Sequence, residues 1–489
     1  MLFPRVIQAR RWEVVIFHLE GIILTRSRCF CSLGVLHSSR LRIEKIAHVI
    51  KHLLPVMPFI TALILAGWLD PHCAFAEQAS AETPAREEKD QRAPRDGEYH
   101  TPLAGEPFHT TFMGQSVDVP RRDRGNQTAL ILGGTVYAPN YGDTSAIPIF
   151  ALYLKRMQED ARLRVVSSAV LNDVDAARSF GNFELLGRFE NYTIPFFAER
   201  GIQNNNEIKQ SSVEWGTLSA FLGAGLRFPV APYQVDNDLR LQLFGQVGYL
   251  YSKPTSDTGP DVHLPPDTML YGMKLRGRYD GFRKNLLELP HSGMAAGFDL
   301  DFVHREHWSD FGNSVVMFKK EDTQDYLKFS AYWMGVFGIP GLSEKNRVLV
   351  TVHGGGADKK SIDRYNAFRL SSGIFVSETD DLPRLNYPGA LYYQTLVSDY
   401  LLMNLEYRRE LLFFLYLHLR GTFIWADRAT IIGSNQIGFK RADGQTASAA
   451  LTTGFFWSSQ IYLEYAHDSG FLRDGKPGNS LMLIWSKSF

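Results

Sequence analysis

The chain has 489 residues, 52 basic and 52 acidic, with 45% hydrophobic and 13% aromatic side chains. That composition is too apolar and too aromatic for a disordered chain. A formal net charge of zero lacks the concentrated basic excess of a general nucleic-acid binder. Length alone would suggest two or three soluble domains; the N-terminus points elsewhere.

Residues 49–76 read VIKHLLPVMPFITALILAGWLDPHCAFA. Lys51 precedes an apolar core from Pro58 to Leu69, and Ala74-Phe75-Ala76 follows as an A-x-A-type site. This is the layout of a secretory signal peptide cleaved after Ala76, too short and Pro-broken to span a membrane. Residues 1–48, Arg-rich and holding Cys29 and Cys31, read as an over-extended start or a long leader. Cleavage removes all three cysteines, so a disulfide-stapled secreted domain is not expected. No later stretch is apolar for long enough to make a transmembrane helix.

Residues 77–126 are polar and rich in Pro, Glu and Arg, the texture of a flexible periplasmic segment. From Gln127 onward, aromatic-rich runs of period two alternate with Gly/Asn/Asp/Pro clusters. The spacing predicts strands over 127–138, 146–156, 161–171, 182–192, 212–228, 237–252, 268–279 and 292–306. Eight more are expected over 324–338, 346–356, 364–374, 397–408, 411–424, 446–458, 460–467 and 480–489. The total is sixteen, and single-chain bacterial barrels have an even number.

Several runs separate charge from bulk. Leu239, Leu241, Leu243, Val247, Tyr249 and Tyr251 share one face, and Arg240, Gln242 and Gln246 the other. Tyr271, Met273, Leu275 and Tyr279 alternate with Lys274, Arg276, Arg278 and Asp280; Phe298, Leu300 and Phe302 alternate with Asp299 and Asp301. A strand between lipid and a wet lumen needs this alternation over ~9–11 residues. The reading is an all-β transmembrane antiparallel barrel over 127–489, with Lys274, Arg276, Arg278, Asp299 and Asp301 as lumen charges. In lipid the sheet must close, because an open edge would leave backbone groups unpaired.

The chain ends with Leu481, Leu483, Trp485, Lys487 and Phe489 on one face. An amphipathic last strand with a terminal aromatic residue resembles the assembly signal of bacterial outer-membrane barrels. Trp485 and Phe489 would carry it, with the barrel-assembly machinery as partner.

Three motifs in order resemble one family. Tyr279-Asp280-Gly-Phe-Arg283-Lys-Asn285, followed by Pro290 and Gly293, is similar to a D-x-R-D-N…P-x-x-G hairpin. Phe368-Arg-Leu-Ser-Ser-Gly373 is similar to F-x-L-G-G, with Ser371 and Ser372 at glycine positions. Asn404-Leu-Glu-Tyr-Arg-Arg-Glu-Leu411 is similar to N-L-E-Y-R-F-x-L. Together they resemble the bacterial surface antigen barrels, the sixteen-stranded outer-membrane insertases and two-partner secretion translocators. The resemblance implies a long sixth extracellular loop, between strands eleven and twelve, that folds into the lumen. Its tip arginine would pair with a lumenal acid.

In Asp381-Leu-Pro-Arg384-Leu-Asn-Tyr387-Pro-Gly389, Arg384 stands for that arginine and Tyr387 for the aromatic residue, without the intervening glycine. The usual acid of the next strand falls at Leu419, leaving Asp280, Asp299, Asp301 or Glu406 as partners. The family's periplasmic repeats have no counterpart, so the chain reads as a short relative.

The function expected is non-enzymatic assistance to the insertion or passage of protein or lipid at the outer membrane, through contact with its lipid and an unidentified client. A passive porin-like channel is the alternative. A lipid-modifying enzyme would need His291 with Ser292, or His467 with Asp468 and Ser469, at what read as hairpin ends rich in turn residues. His353-Gly-Gly-Gly356 reads as a strand-end bend. No cofactor, metal-ligand motif or phosphate loop is expected.

Overall fold

In the computed structural model the described residues are 100–489, apart from 121–122, 141–143, 169, 194–198, 234, 358–360, 374–378, 392–394 and 455–458. The leader, the signal peptide and residues 77–99 lie outside them.

Among the described residues, sixteen long strands close into an antiparallel barrel. They are β1 (Gln127–Pro139), β2 (Ser145–Met157), β3 (Ala161–Ser168), β4 (Leu171–Phe180), β5 (Phe183–Thr193), β6 (Asn206–Pro229), β7 (Asp238–Pro254) and β8 (Thr268–Asp280). The second half comprises β9 (Pro290–Arg305), β10 (Asp325–Gly338), β11 (Asn346–Ala357), β12 (Thr395–Leu412), β13 (Leu415–Ile432), β14 (Gln436–Gly454), β15 (Ser459–Asp468) and β16 (Gly478–Ser488). Closure joins β16 to β1, from Gly478 opposite Pro139 to Ser488 opposite Ala129. Every wall strand therefore has a neighbour on both sides, as hydrocarbon demands of backbone polar groups.

The outside is apolar without a second protein layer. Leu239, Leu241 and Leu243 on β7, Leu401, Met403 and Leu405 on β12, and Leu481 and Leu483 on β16 are all exposed. Their inward neighbours Arg240, Gln242, Asn404, Glu406 and Arg408 are buried. Charges inside and a continuous apolar exterior identify the surface that meets lipid.

The expected count of sixteen is met, with two reassignments that cancel. β4 has no counterpart in the predicted set. Its outward face, Asn172, Val174, Ala176 and Arg178, is weakly apolar, and its inward Asp173 and Asp175 are buried. Segment 364–374, expected in the wall, lies instead within the long connection between β11 and β12. Arg364, Tyr365, Asn366, Ala367, Leu370 and Ser371 are all buried, so it has no lipid face. Only Phe368–Ser371 is extended, antiparallel to the start of β12 and parallel to Leu385–Asn386.

At the end where the chain enters β1, the connections are mostly short. Residues 100–120 and 123–126, part of the segment read as flexible, lie at this turn end, and Phe108–Phe112 and Gln115–Val119 form a hairpin there. Ala104 N–H donates to the Lys284 carbonyl at 3.0 Å. Arg124 pairs with Asp236 at 2.7 Å and Glu288 at 2.6 Å, and Phe108 packs on Phe413. At the opposite end the loops build a roof. Trp215, Trp308, Phe311 and Tyr365 share an aromatic cluster there, and Arg473 donates to the Asn205 side chain at 2.9 Å.

Candidate functional site

The described parts of the connection between β11 and β12, residues 361–373 and 379–391, lie inside the barrel and are fastened at three heights. At the roof, Asp363 binds Arg305 of β9 at 2.5 Å. Arg364 and Arg369 clasp Glu199 at 3.1 and 2.9 Å. Burial alone would raise the Glu199 carboxyl, but the two guanidinium groups outweigh it and hold it below the usual carboxylate range.

Midway, the Tyr387 hydroxyl donates to Asp468 at 2.8 Å, and Tyr137 donates to the other oxygen at 3.2 Å. Ser372 Oγ donates to Glu464 at 2.9 Å and accepts the Gly389 N–H at 3.3 Å. At the turn end, Thr379 Oγ1 donates to Asp280 at 3.1 Å. The Asp380 carboxylate approaches Arg240 at 3.4 Å.

Arg384 lies in the lumen with its carboxylate supplied by the loop itself, Asp381, at 3.1 Å. Its Nη1 also donates to the Ser372 carbonyl at 2.9 Å. The wall acids considered for it are engaged by others. Glu406 accepts from Arg408 and Arg420, at 2.8 and 2.9 Å, and touches His418 at 2.8 Å. Asp280 meets Thr379, while Asp299 and Asp301 face the charge ladder. Leu419 is exposed on the outer wall.

The five lumen charges form that ladder because strand register sets them opposite one another. Lys274 faces Asp301 and Arg276 faces Asp299. Their ion pairs measure 3.2 and 3.3 Å, and Arg278 reaches Asp299 at 2.6 Å. The network extends through Arg276–Asp175 at 3.6 Å to Arg188–Asp173 at 3.0 Å and Arg164–Asp173 at 2.8 Å. Buried charge persists only with such compensation.

The hairpin motif builds the turn between β8 and β9. Asp280 accepts the Phe282 N–H, and Asn285 Oδ1 accepts those of Leu287 and Leu289, each at 3.0 Å. Arg283 sits opposite Ser292, and Lys284 opposite Pro290, on the other arm. Gly293 has φ +99°, and a Cβ there would lie 2.3 Å from the Gly281 carbonyl oxygen, so glycine is required. Trp485 faces outward opposite Leu132, and Phe489 is exposed, its N–H donating to the Thr128 carbonyl at 2.9 Å. Of the histidines considered for catalysis, His291 contacts Arg347, and His467 contacts Asn479 at 2.9 Å. His353 is buried and stacked on Tyr332.

Sequence reasoning missed Asp363, Glu199, Thr379, Asp380 and Glu464. None belongs to a motif. The one local signal was Ser372, a serine at a glycine position, whose hydroxyl now joins the loop to the wall.

The inward loop leaves a cavity of about 1370 Å³ in the lumen, lined by residues of β1–β10, β12, β15 and β16 and reaching from Gln127 and Asp236 at the turn end to Thr144 and Glu207 at the loop end. A closed sixteen-stranded barrel with a lipid-facing exterior and an occupied, ion-paired lumen is a transmembrane β-barrel protein. The solved structures it resembles include BamA from Haemophilus ducreyi lacking POTRA domains 1–3, at 10% identity and TM-score 0.44, covering 78% of this chain and 75% of that one. CdiB from Escherichia coli is similar at 11% identity and TM-score 0.44, covering 79% and 68%. CdiB from Acinetobacter baumannii is similar at 9% identity and TM-score 0.43, covering 79% and 66%. No family model and no curated protein sequence matches this chain.

Proposed function

We propose that this chain is an outer-membrane barrel of the surface-antigen type that assists the insertion or passage of polypeptide or lipid and has no enzymatic activity of its own. The observation that carries the reading is the connection between β11 and β12, whose described residues 361–373 and 379–391 lie inside the lumen and are fastened at roof, middle and turn end. A passive channel has no use for a loop pinned at three heights through its bore. Nor do the lumen charges present themselves to permeant ions, since Lys274, Arg276 and Arg278 are paired with Asp301 and Asp299. The C-terminal face ending in Trp485 and Phe489 supports assembly of this barrel by the outer-membrane machinery.

Two measurements test the proposal. In planar bilayers, the protein should show small, intermittent conductance, and deletion of 374–391 should produce large, steady openings. In proteoliposomes, it should speed the folding of a urea-denatured outer-membrane barrel several-fold over empty vesicles. Steady large conductance in the unaltered protein, with no effect on folding, would establish the channel reading instead.

A further inference from the structure

Most of the lumen obeys the rule that inward positions are polar, but the wall around the closing seam does not. Ile131 on β1, Ile147 and Ile149 on β2, and Ile484 on β16 all point inward and line the cavity. The register sets Ile149 opposite Gly133, and Gly133 opposite Ile484, so these side chains form one strip across three adjacent strands. Leu385 of the inward loop borders the same space. The four isoleucines are half-buried: Ile147 packs against the cluster that holds Leu385 and Tyr387, Ile149 and Ile484 pack against Ala450, Tyr462 and Met482, and all four still show surface to the cavity. An apolar strip facing a wet interior is costly unless something apolar covers it.

The same cavity is cationic. Its lining has thirteen lysines and arginines against ten aspartates and glutamates. Most of these pair, but among the described residues no carboxylate lies within ion-pair distance of Lys328. Its ammonium donates to the Asn366 carbonyl at 3.0 Å and lies 5.0 Å from the Phe368 ring centroid. At about 1370 Å³ the space exceeds the roughly 300–1,000 Å³ of an ordinary small-molecule pocket. With the isoleucine strip at the seam and Lys328 across the lumen on β10, this one cavity has the room and the chemistry to receive an acyl chain with an anionic head.

We propose that the lumen binds a single-chain anionic amphiphile, its chain along the isoleucine strip and its head toward Lys328. The site deepens the function proposed above by naming what the passage accommodates. The two can fail separately, because conductance reports on the plug and binding reports on the cavity.

The test uses the full chain in amphipol, so that no detergent competes. Cis-parinaric acid is the fluorescent probe, and palmitate, hexadecanol, octanoate and lysophosphatidate are the competitors. Saturable binding is expected, with palmitate displacing the probe at least tenfold better than octanoate or hexadecanol. Lysophosphatidate outcompeting palmitate would identify a phospholipid source for the head; the reverse would identify a free fatty acid. Ile147→Asn with Ile149→Asn should weaken binding at least tenfold, and Lys328→Gln should abolish the preference for palmitate over hexadecanol. Phe150→Ala, on the lipid-facing side of β2, should leave binding unchanged. Should the double variant fail to fold, judged by heat-modifiable gel migration, a diazirine-bearing palmitate on the unaltered protein should label peptides containing Ile131, Ile147 or Ile149. Absence of saturable binding, labelling confined to the outer wall, or displacement by an extended amphipathic peptide but not by palmitate would overturn the proposal.

Discussion

Glu406 shows how much one lumen residue can hold. Its two oxygens serve Arg408 on the same strand and His418 and Arg420 on neighbouring β13, and Arg420 continues to Glu464 at 3.4 Å. Removing one partner of a buried ion pair costs about 3–5 kcal/mol, because the other charge is left uncompensated. Glu406→Gln should therefore lower the midpoint of urea unfolding markedly, while Asp427→Asn, at the half-exposed Asp427–Arg441 pair, should shift it by less than about 1 kcal/mol. Tyr387→Phe removes a hydrogen bond to a carboxylate, worth about 1.5–3 kcal/mol, and should loosen the inward loop. Faster proteolysis within 379–391 is the readout. A Tyr387→Phe loop as resistant as the original would show that Asp468 does not hold it. Glu199 adds a pH signature. Its folded carboxyl lies below its ordinary value, so its contribution is complete above about pH 4.3 and is lost as pH falls through the lowered folded value. The roof clasp should thus survive mildly acidic medium and open only in strong acid, measured by hydrogen exchange at 199–203.

Among elements, strands that separate charge from bulk were legible and strands that do not were not. β7 and β8 announce themselves because each outward position is apolar and each inward one polar. β4 lacks the apolar half of that signal, and its acids make sense only beside Arg164 and Arg188 on β3 and β5. The 368–371 run alternates like a wall strand, yet both its faces are buried in the lumen, a distinction that local periodicity does not carry. β1 and β2 are apolar on both faces, which weakened their sequence pattern and which the seam strip explains. The inward loop itself is the element to manipulate. Asp363→Asn leaves Arg305, buried with it at the roof, without its carboxylate, and should raise the frequency of large openings in planar bilayers without unfolding the wall.

For the whole molecule, closure decides stability. The β16–β1 ladder runs from 478 to 488, and without it two strand edges would face hydrocarbon. Deleting 481–489 should prevent heat-resistant barrel migration altogether. A charge on the outer face tests the membrane assignment: Val247→Arg, exposed and in the middle of β7, should cost about 2–4 kcal/mol in bilayer-folded protein if it lies at mid-membrane. An unchanged unfolding midpoint in lipid would mean that this face does not meet hydrocarbon.

The count of sixteen was met only because a missed strand and a misplaced one cancel; the amino-acid order alone determined that there is a barrel, the two faces of its charge-separating strands and the place of its long sixth loop. These follow from period-two patterning and from the rule that backbone groups in lipid must pair, both of which are local or universal. Only the tertiary structure decided which acid meets Arg384, that Ser372, Thr379 and Asp468 fasten the loop, and that an isoleucine strip lines the lumen cavity at the seam. Those contacts join residues far apart in the chain, and register and loop path, not neighbouring sequence, bring them together.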